Sequence, residues 1–167
     1  MKRVKLDKID RKILKNLQDD GRITNVELAR EAGISAPPCL RRVRALEENG
    51  FINGCHAKVD PVALGYGVTV FAHVKLVSQA ENDLKKFEEL IHSWDVVREC
   101  WMLAGETDFL LKVVANDWDD YQHFLTENLT SSPTVTSVTS SLAIRESPCE
   151  PGVPIEVEPP PTPFFFT

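Results

Sequence analysis

Three arginines stand close together in the segment SAPPCLRRVRALEENG, at Arg41, Arg42 and Arg44. A guanidinium group binds phosphate and donates two hydrogen bonds to the O6 and N7 atoms of guanine. A short helix that carries three such groups is therefore a candidate DNA-binding element. The competing interpretation is a solvated helix face, on which the same charges contact only water.

The helical period divides this segment into two faces. At 100° per residue, Cys39, Val43 and Leu46 point the same way and predict the buried face. If the segment binds DNA, the opposite face is expected to make the contact, because the N-terminal part of a DNA-recognition helix reaches the base edges. We expect base contacts from Pro37, Pro38, Leu40 and Arg41, phosphate contacts from Arg42 and Arg44, and an N-cap at Ser35 whose hydroxyl also offers a hydrogen bond to phosphate.

Other residue types that often do chemistry form no recognisable site. The histidines show neither a paired nucleophile nor metal-ligand spacing: His56, His73, His92 and His123. The four cysteines contain no C-x-x-C pair and are expected to be reduced thiols. We therefore expect no catalytic residue, no metal, no cofactor and no enzymatic activity.

The net charge of −6 hides a division along the chain. Residues 1–60 hold 13 Lys and Arg against 9 Asp and Glu, residues 61–145 hold 6 against 12, and residues 146–167 hold none against 4. A basic front followed by an acidic remainder indicates a nucleic-acid-binding module joined to a second domain.

The arginines lie in the third of three predicted helices. The first helix has one aliphatic face, made of Leu6, Ile9, Ile13, Leu14 and Leu17. In the second, TNVELAREAG, Thr24 and Glu27 form a capping box and Gly33 ends the helix. Apolar contact is expected from Val26, Leu28 and Ala29. The stretch FINGCHAKVDP then alternates weakly, as a short β-hairpin does. Together these elements predict a winged helix-turn-helix domain over residues 1–62.

The remainder of the chain alternates strands and helices in the order βαββαβ. This order folds as a four-stranded antiparallel sheet with both helices on one face, the ferredoxin-like arrangement, and it predicts a second domain over residues 63–146. The overall class is α+β. The uncovered face of the sheet is expected to expose Phe71, Trp101 and Leu111, which favours a dimer packed sheet to sheet.

Residues 147–167 contain seven prolines and no apolar period before the aromatic residues 164–166. We expect a mobile tail, with docking of the aromatic triplet on a partner subunit as the alternative. No stretch reaches the roughly 18 apolar residues of a membrane helix, and the start lacks the apolar core of a signal peptide. The expected protein is soluble and cytoplasmic.

Three motifs occur in order over residues 4–146: LDKIDRKIL, ELAREAGISAPPCLRRVRALEENGFI and ECWMLAGETDFLLKV. Together they resemble the Lrp/AsnC (feast/famine) family of bacterial transcriptional regulators, and the central block is most similar to the leucine-responsive branch. The resemblance implies a DNA-binding dimer that often assembles into tetramers, octamers or hexadecamers. It also implies an amino-acid effector bound in the C-terminal domain at a subunit interface. The proline-rich tail lies outside the family pattern.

The loop AGETD at residues 104–108 resembles the G-x-x-D loop at which the family's effector contacts concentrate. An amino acid needs an acceptor for its ammonium group and donors for its carboxylate. Asp108 is expected to be that acceptor, and Gly105 to allow close approach of the backbone. The expected site comprises Met102, Leu103, Ala104, Gly105, Thr107, Asp108, Thr136 and Ser137. The alternative is that this loop is only a turn, and Trp101 is either a pocket wall or a residue of the sheet face.

The sequence thus predicts a sequence-specific DNA-binding transcriptional regulator. Its assembly and its DNA binding are expected to respond to a small amino acid, with double-stranded DNA and further copies of the chain as the other partners. The alternative is an architectural protein that bends DNA without an effector. The sequence leaves open which amino acid binds, which genes are controlled, and whether the protein activates or represses them.

Overall fold

The computed structural model describes residues 5–147 and 149–158. These residues divide into two compact units. The first contains residues 5–58 together with 149–158, and the second contains residues 59–147.

Three helices make up the core of the first unit: α1 (Lys8–Asp19), α2 (Asn25–Ala32) and α3 (Ala36–Glu48). Capping boxes begin the first two, at Asp7 with Asp10 and at Thr24 with Glu27. In each box two backbone N–H groups without intrahelical partners receive side-chain acceptors. Gly33 then ends α2 with φ 76°, a left-handed conformation that glycine adopts without steric cost.

The three helices enclose a small apolar core. Its buried members are Ile13, Leu28, Ala29, Ala32, Cys39 and Leu46. Burial raises the pKa of the Cys39 thiol. The predicted inner faces of α1 and α3 are therefore confirmed, and Val43 packs against the same cluster. The prediction for Val26 was wrong: its side chain is 71% exposed, because the two-turn helix turns only one narrow face inwards.

The expected β-hairpin is not formed. No strand occurs between Phe51 and Asp60, and this segment is almost entirely exposed. A two-stranded hairpin is marginal by itself in water, and the weak alternation here supplies little apolar surface to stabilise one.

The C-terminal segment contributes residues 149–158 to the first unit. The backbone of Val153 is hydrogen-bonded to the side chain of Gln18 in α1, and these ten residues form no helix or strand. The aromatic triplet lies outside the described residues.

The second unit follows the predicted order. A short 3₁₀ turn (Val62–Leu64) precedes β1 (Val68–Leu76), α4 (Glu81–His92), β2 (Val97–Met102), β3 (Phe109–Ala115), α5 (Trp118–Phe124) and β4 (Val135–Leu142), with a π-helical stretch (Leu125–Thr130) extending α5. The strands pair antiparallel in the spatial order β2-β3-β1-β4. This is the ferredoxin-like sheet that the sequence predicts.

The register decides which side chains face the helices. Ala72 pairs with Leu111, and both are fully buried, so the expectation that Leu111 lies on the open face was wrong. The open face instead carries Leu110, which pairs with Trp101 on one side and His73 on the other. Phe71 lies on this same face and is half-buried. Leu90 of α4 is 38% exposed.

None of the helices among residues 5–147 and 149–158 is long and apolar enough to cross a membrane.

Candidate DNA interface and effector site

The exposed face of α3 carries two of the three arginines. Arg41 and Arg44 are exposed, as is Pro37 near the start of the helix. Leu40, which directly precedes Arg41, is 41% exposed. Among the described residues the structure shows no hydrogen bond or ion pair for either guanidinium. Both groups therefore remain available to an external acceptor such as phosphate or a guanine edge.

Arg42 occupies a different position on the helix. Its Nη1 atom donates to Asp10 Oδ1 at 2.6 Å and to Asp7 Oδ2 at 2.8 Å, and only 32% of its side chain is exposed. These bonds raise the pKa of Arg42. The pKa of Asp7 is lowered, mainly by the hydrogen bond from the Asp10 backbone N–H and further by the hydrogen bond from Arg42. The expected phosphate contact of Arg42 does not fit this arrangement, in which the guanidinium is already bound to two carboxylates.

This ion pair joins the N-terminus of α1 to the middle of α3. Asp7 and Asp10 form the capping box of α1, so one arginine is fixed by the same carboxylates that begin that helix. This contact is one of those that hold α3, and with it Arg41 and Arg44, against α1. Asp7 and Asp10 lie 35 and 32 residues before Arg42, so this link to α3 leaves no periodic signal in the sequence.

The start of α3 is held by a residue that the sequence analysis missed. Asn25 Nδ2 donates to the carbonyl of Ala36 at 3.0 Å, which ties the first residue of α2 to the first residue of α3. Ser35 occupies the N-cap position as expected, yet its side chain makes no capping hydrogen bond. Pro38 is partly buried in this first turn, where a missing N–H costs nothing.

The candidate effector site centres on the loop between β2 and β3. Leu103, Ala104, Gly105 and Glu106 are exposed, whereas Asp108 is only 5% exposed. Its Oδ2 accepts from the Leu76 N–H at 2.7 Å, and its Oδ1 accepts from Gln79 Nε2 at 2.7 Å. Both carboxylate oxygens thus connect the β2–β3 loop to the end of β1. Asp108 does not fit the expected role of acceptor for an external ammonium group, and Gln79 is a further residue that the sequence analysis missed.

The loop has space on its outer side. A Cβ atom added at Gly105 would meet no other atom within 4 Å, and its φ lies outside the positive range. Among residues 5–147 and 149–158, therefore, nothing requires glycine at this position. A requirement for glycine would have to come from a molecule that approaches the loop.

Thr136 and Ser137 lie at the same end of the sheet as Asp108. Ser137 pairs with Lys75, and Leu76, which follows Lys75, donates to Asp108. A register shift between Lys75 and Leu76 places Thr136 beside the normal ladder. Thr136 and Ser137 are both exposed, and so is Met102. Trp101 is 43% exposed, while Thr107 is half-buried. The expected effector residues therefore gather around one sheet end, with β1 between the loop and β4.

One hydroxyl of β4 is used internally. Ser140 is hydrogen-bonded to the hydroxyl of the buried Tyr121, which fastens α5 to the last strand. Burial raises the pKa of Tyr121, and the bond to Ser140 offsets part of that effect. Ser140 consequently supports the sheet end rather than offering its hydroxyl to a ligand.

Two units with these features define a class: a helix-turn-helix that reads DNA, followed by a ferredoxin-like domain with an exposed loop at one sheet end. Residues 6–53 match the model of the winged helix-turn-helix DNA-binding family, and residues 69–153 match the Lrp/AsnC ligand-binding domain. The chain belongs to the Lrp/AsnC family of transcriptional regulators. The helix-turn-helix is its DNA-binding domain and the ferredoxin-like unit its ligand-binding domain.

Curated relatives are similar over most of their length. A leucine-responsive regulatory protein of Rhizobium meliloti is 54% identical over 144 residues, covering 86% of this chain and 92% of the relative. A Bkd operon transcriptional regulator of Pseudomonas aeruginosa is 42% identical over 140 residues, covering 84% of this chain and 92% of the relative.

Solved structures agree with the fold. A transcriptional regulator of Neisseria meningitidis, crystallised as a complex with L-Met, superposes with a TM-score of 0.83 at 35% identity, covering 90% of this chain and 97% of that one. These comparisons give no support to the alternative of an architectural protein without an effector.

Proposed function

We propose that this regulator reads DNA bases with the N-terminal half of α3, through Arg41, Leu40 and the Pro37–Pro38 turn, and grips the backbone with Arg44. The observation that carries the proposal is the contrast among the three arginines. Arg41 and Arg44 are exposed with no partner among the described residues, while Arg42 is fixed by Asp7 and Asp10. Arg42 is then a positioning residue for the other two.

The effector is an apolar α-amino acid bound at the sheet end formed by the β2–β3 loop and the start of β4. The exposed loop backbone at residues 104–106 offers N–H groups to a carboxylate, the hydroxyls of Thr136 and Ser137 add further hydrogen-bonding groups, and Met102 adds apolar surface. The leucine-responsive name of the Rhizobium meliloti relative and the L-Met bound by the Neisseria meningitidis regulator support this ligand class.

We do not assign the ammonium group to Asp108, because this residue is only 5% exposed and each of its oxygens already accepts a hydrogen bond within the chain. Backbone carbonyls of the loop, or a group supplied by a second copy of the chain, fill that role instead. A site completed by a second copy accords with the expected position of the effector at a subunit interface.

Self-association uses the open face of the sheet. Phe71, Leu110 and Trp101 lie on this face, and a pair of such faces buries them against each other. Dimers then assemble into tetramers or octamers, and the effector changes the placement or number of the DNA-binding units. The protein acts as a regulator rather than an enzyme, in the cytoplasm of a bacterial cell.

Selection of bound sequences from random DNA, with and without each of the twenty amino acids, tests this function. We expect one preferred sequence and a change in its affinity or spacing with leucine, methionine or a similar apolar amino acid. By linkage, the same DNA must change the affinity for that amino acid by an equal factor. Calorimetry that detects no amino acid, with DNA binding intact, would contradict the effector part of the proposal.

A further inference from the structure

The C-terminal segment follows α1 along one stripe of the helix. Gln18, Arg11 and Lys8 succeed one another towards the start of α1, and they contact residues 153, 156 and 158 respectively. The ten residues between Lys8 and Gln18 span about 15 Å of helix. Five extended residues span about 16–17 Å, so an extended segment running antiparallel to α1 keeps all three contacts in register.

The contacts are of two kinds: a neutral pair of hydrogen bonds between Gln18 and Val153, here called the clamp, and contacts made by the charged side chains of Arg11 and Lys8. The amide of Gln18 both donates to the Val153 carbonyl at 2.8 Å and accepts from the Val153 N–H at 3.0 Å. Arg11 Nη1 donates to the Glu156 carbonyl at 3.2 Å, and Lys8 Nζ pairs with Glu158 at 2.7 Å. The pair with Lys8 lowers the pKa of Glu158. Because this ion pair is largely exposed, it adds little stability, and the Gln18 amide is the stronger determinant of position.

The residue before the clamp is suited to close approach. Gly152 has φ 81°, a conformation that other residues rarely adopt, and a Cβ atom there would collide with the side chain of Gln18. Ile155 and Val157 are half-buried. A cleft of about 550 Å³ lies beside the clamp, with apolar lining from Leu14, Leu17, Phe51, Ile52, Val153 and Pro154. The surface therefore accepts an extended, partly apolar and acidic peptide.

Docking changes the charge of the DNA-binding unit. Residues 1–58 hold 13 basic and 8 acidic side chains, whereas residues 148–167 hold three glutamates and no basic residue. The docked segment therefore reduces a net charge of about +5 to about +2 on the unit that approaches DNA. It also engages Lys8 and Arg11. Non-specific attraction to DNA is set mainly by such charges.

We propose that this surface of α1 is a docking site for the acidic C-terminal segment of the same chain, and that the docked segment weakens non-specific binding of the helix-turn-helix unit to DNA. The inference rests on the DNA-binding function, and it adds that docking of the segment lowers the affinity for DNA. Its effect falls on the attraction shared by all sequences, because the segment contacts α1 rather than the exposed face of α3.

Two charge-neutral substitutions in the full chain test this inference. Gln18→Ala removes both bonds to Val153, and Gly152→Ala introduces the collision with Gln18, while the net charge stays the same. We expect both variants to bind a duplex of random sequence several-fold more tightly at low salt. The slope of log affinity against log salt should steepen by about one to two, as Lys8 and Arg11 become available to phosphate. Fluorescence anisotropy over a salt titration measures both quantities.

The controls separate docking from bulk charge. Gln122→Ala, an exposed change in the other unit, should leave both quantities unaltered. Glu158→Gln should tighten binding more than Glu150→Gln, although each removes one negative charge. Of these two glutamates only Glu158 has an ion pair among the described residues, and its loss frees Lys8 for phosphate. Hydrogen exchange at the Val153 amide reports docking directly and should accelerate in Gln18→Ala.

Each result decides the matter. Parental affinity and slope in variants whose Val153 amide has lost protection would overturn the proposed restraint on DNA binding. A Val153 amide that exchanges equally fast in the parent and in Gln18→Ala would overturn docking itself. A parent chain that binds no DNA at any salt concentration would instead contradict the proposed function.

Discussion

On α3 the guanidinium groups of Arg41 and Arg44 extend from an exposed helix face, whereas at the sheet end both oxygens of Asp108 accept hydrogen bonds from the chain itself. The first region presents its charges outward to a large, highly charged partner. In the second region the buried carboxylate holds a loop, and we propose that backbone groups and hydroxyls bind the ligand. A polar residue in a motif therefore belongs to the ligand only after its contacts inside the chain have been counted.

The largest effect is expected at Asp108. Asp108→Ala leaves the buried Leu76 N–H and the Gln79 amide without their acceptor, which costs about 2–3 kcal/mol of unfolding free energy. Urea denaturation of the full chain measures this loss. Asp108→Asn, which keeps an acceptor for Leu76, should lose less.

The same pair of variants distinguishes the two roles of this carboxylate. If Asp108 only holds the loop, amino-acid binding by Asp108→Asn should be close to that of the parent under conditions where both are folded. Abolished binding in a well-folded Asp108→Asn would show that the ligand needs the negative charge, and the contrast between the two regions would fail.

Arg41 has the next largest expected effect, on specificity rather than on stability. Arg41→Ala should reduce discrimination at one base pair by about 1–3 kcal/mol and leave the unfolding free energy nearly unchanged. Competition binding with single-base variants of the preferred site measures this. In the matched variant Arg44→Ala the affinity should fall by a similar factor for all DNA sequences. The slope of log affinity against log salt should decrease by about one. An unaltered base preference in Arg41→Ala would remove Arg41 from the readout.

Arg42 should show the opposite pattern. Arg42→Ala leaves the half-buried Asp10 without its ion pair and should cost about 1–2 kcal/mol of stability in the helix-turn-helix unit. Its DNA affinity should fall for all sequences in proportion to the disturbance of α3. A variant of full stability that shows the salt-slope change expected of Arg44→Ala would return Arg42 to the phosphate-binding group.

Acid should weaken the contact of Arg42 with Asp7 and Asp10. The pKa of Asp7 lies below its ordinary value of 3.8, so the charged carboxylate stabilises the folded state above that pH. This contribution is lost as the pH falls through the lower pKa of the folded chain. Asp7→Asn keeps a capping side chain but cannot titrate. Its unfolding free energy should therefore depend less on pH below about 4 than that of the parent, as measured by urea denaturation.

Much of the fold could be predicted from the sequence because its determinants are local. The capping box of Thr24 and Glu27, the end of α2 at Gly33 and the strand and helix order all depend on residues within a few positions of each other. The exposed face of α3 followed from its helical period in the same way. Leu111 was misassigned because DFLLKVVA is almost continuously apolar, so its alternation does not reveal which face is buried.

The remaining features depend on contacts between distant parts of the chain. Arg42 meets carboxylates 32 and 35 positions away, Asp108 meets Leu76 across 32 positions, and Gln18 meets Val153 across 135. In each case the residue type predicted a polar or charged contact, but the partner was determined by the tertiary fold. The candidate effector site is less predictable than the DNA-reading face for this reason, since it gathers residues from two strands and a loop.

The smallest effect on the chain itself is expected at Gly105. A Cβ atom there meets nothing within 4 Å and the backbone is not left-handed, so Gly105→Ala should change the unfolding free energy by less than about 0.5 kcal/mol. Because the fold does not need glycine, any weakening of amino-acid binding in this variant reports the approach of the ligand to the loop. We expect weaker binding of the amino acid in calorimetry, with DNA binding unchanged in its absence. Ala104→Gly, a neighbouring change that removes a methyl group, is the matched control. Equal ligand affinity in Gly105→Ala and the parent would move the effector away from this loop and towards β4, where Thr136 and Ser137 would have to supply the polar contacts from the strand alone.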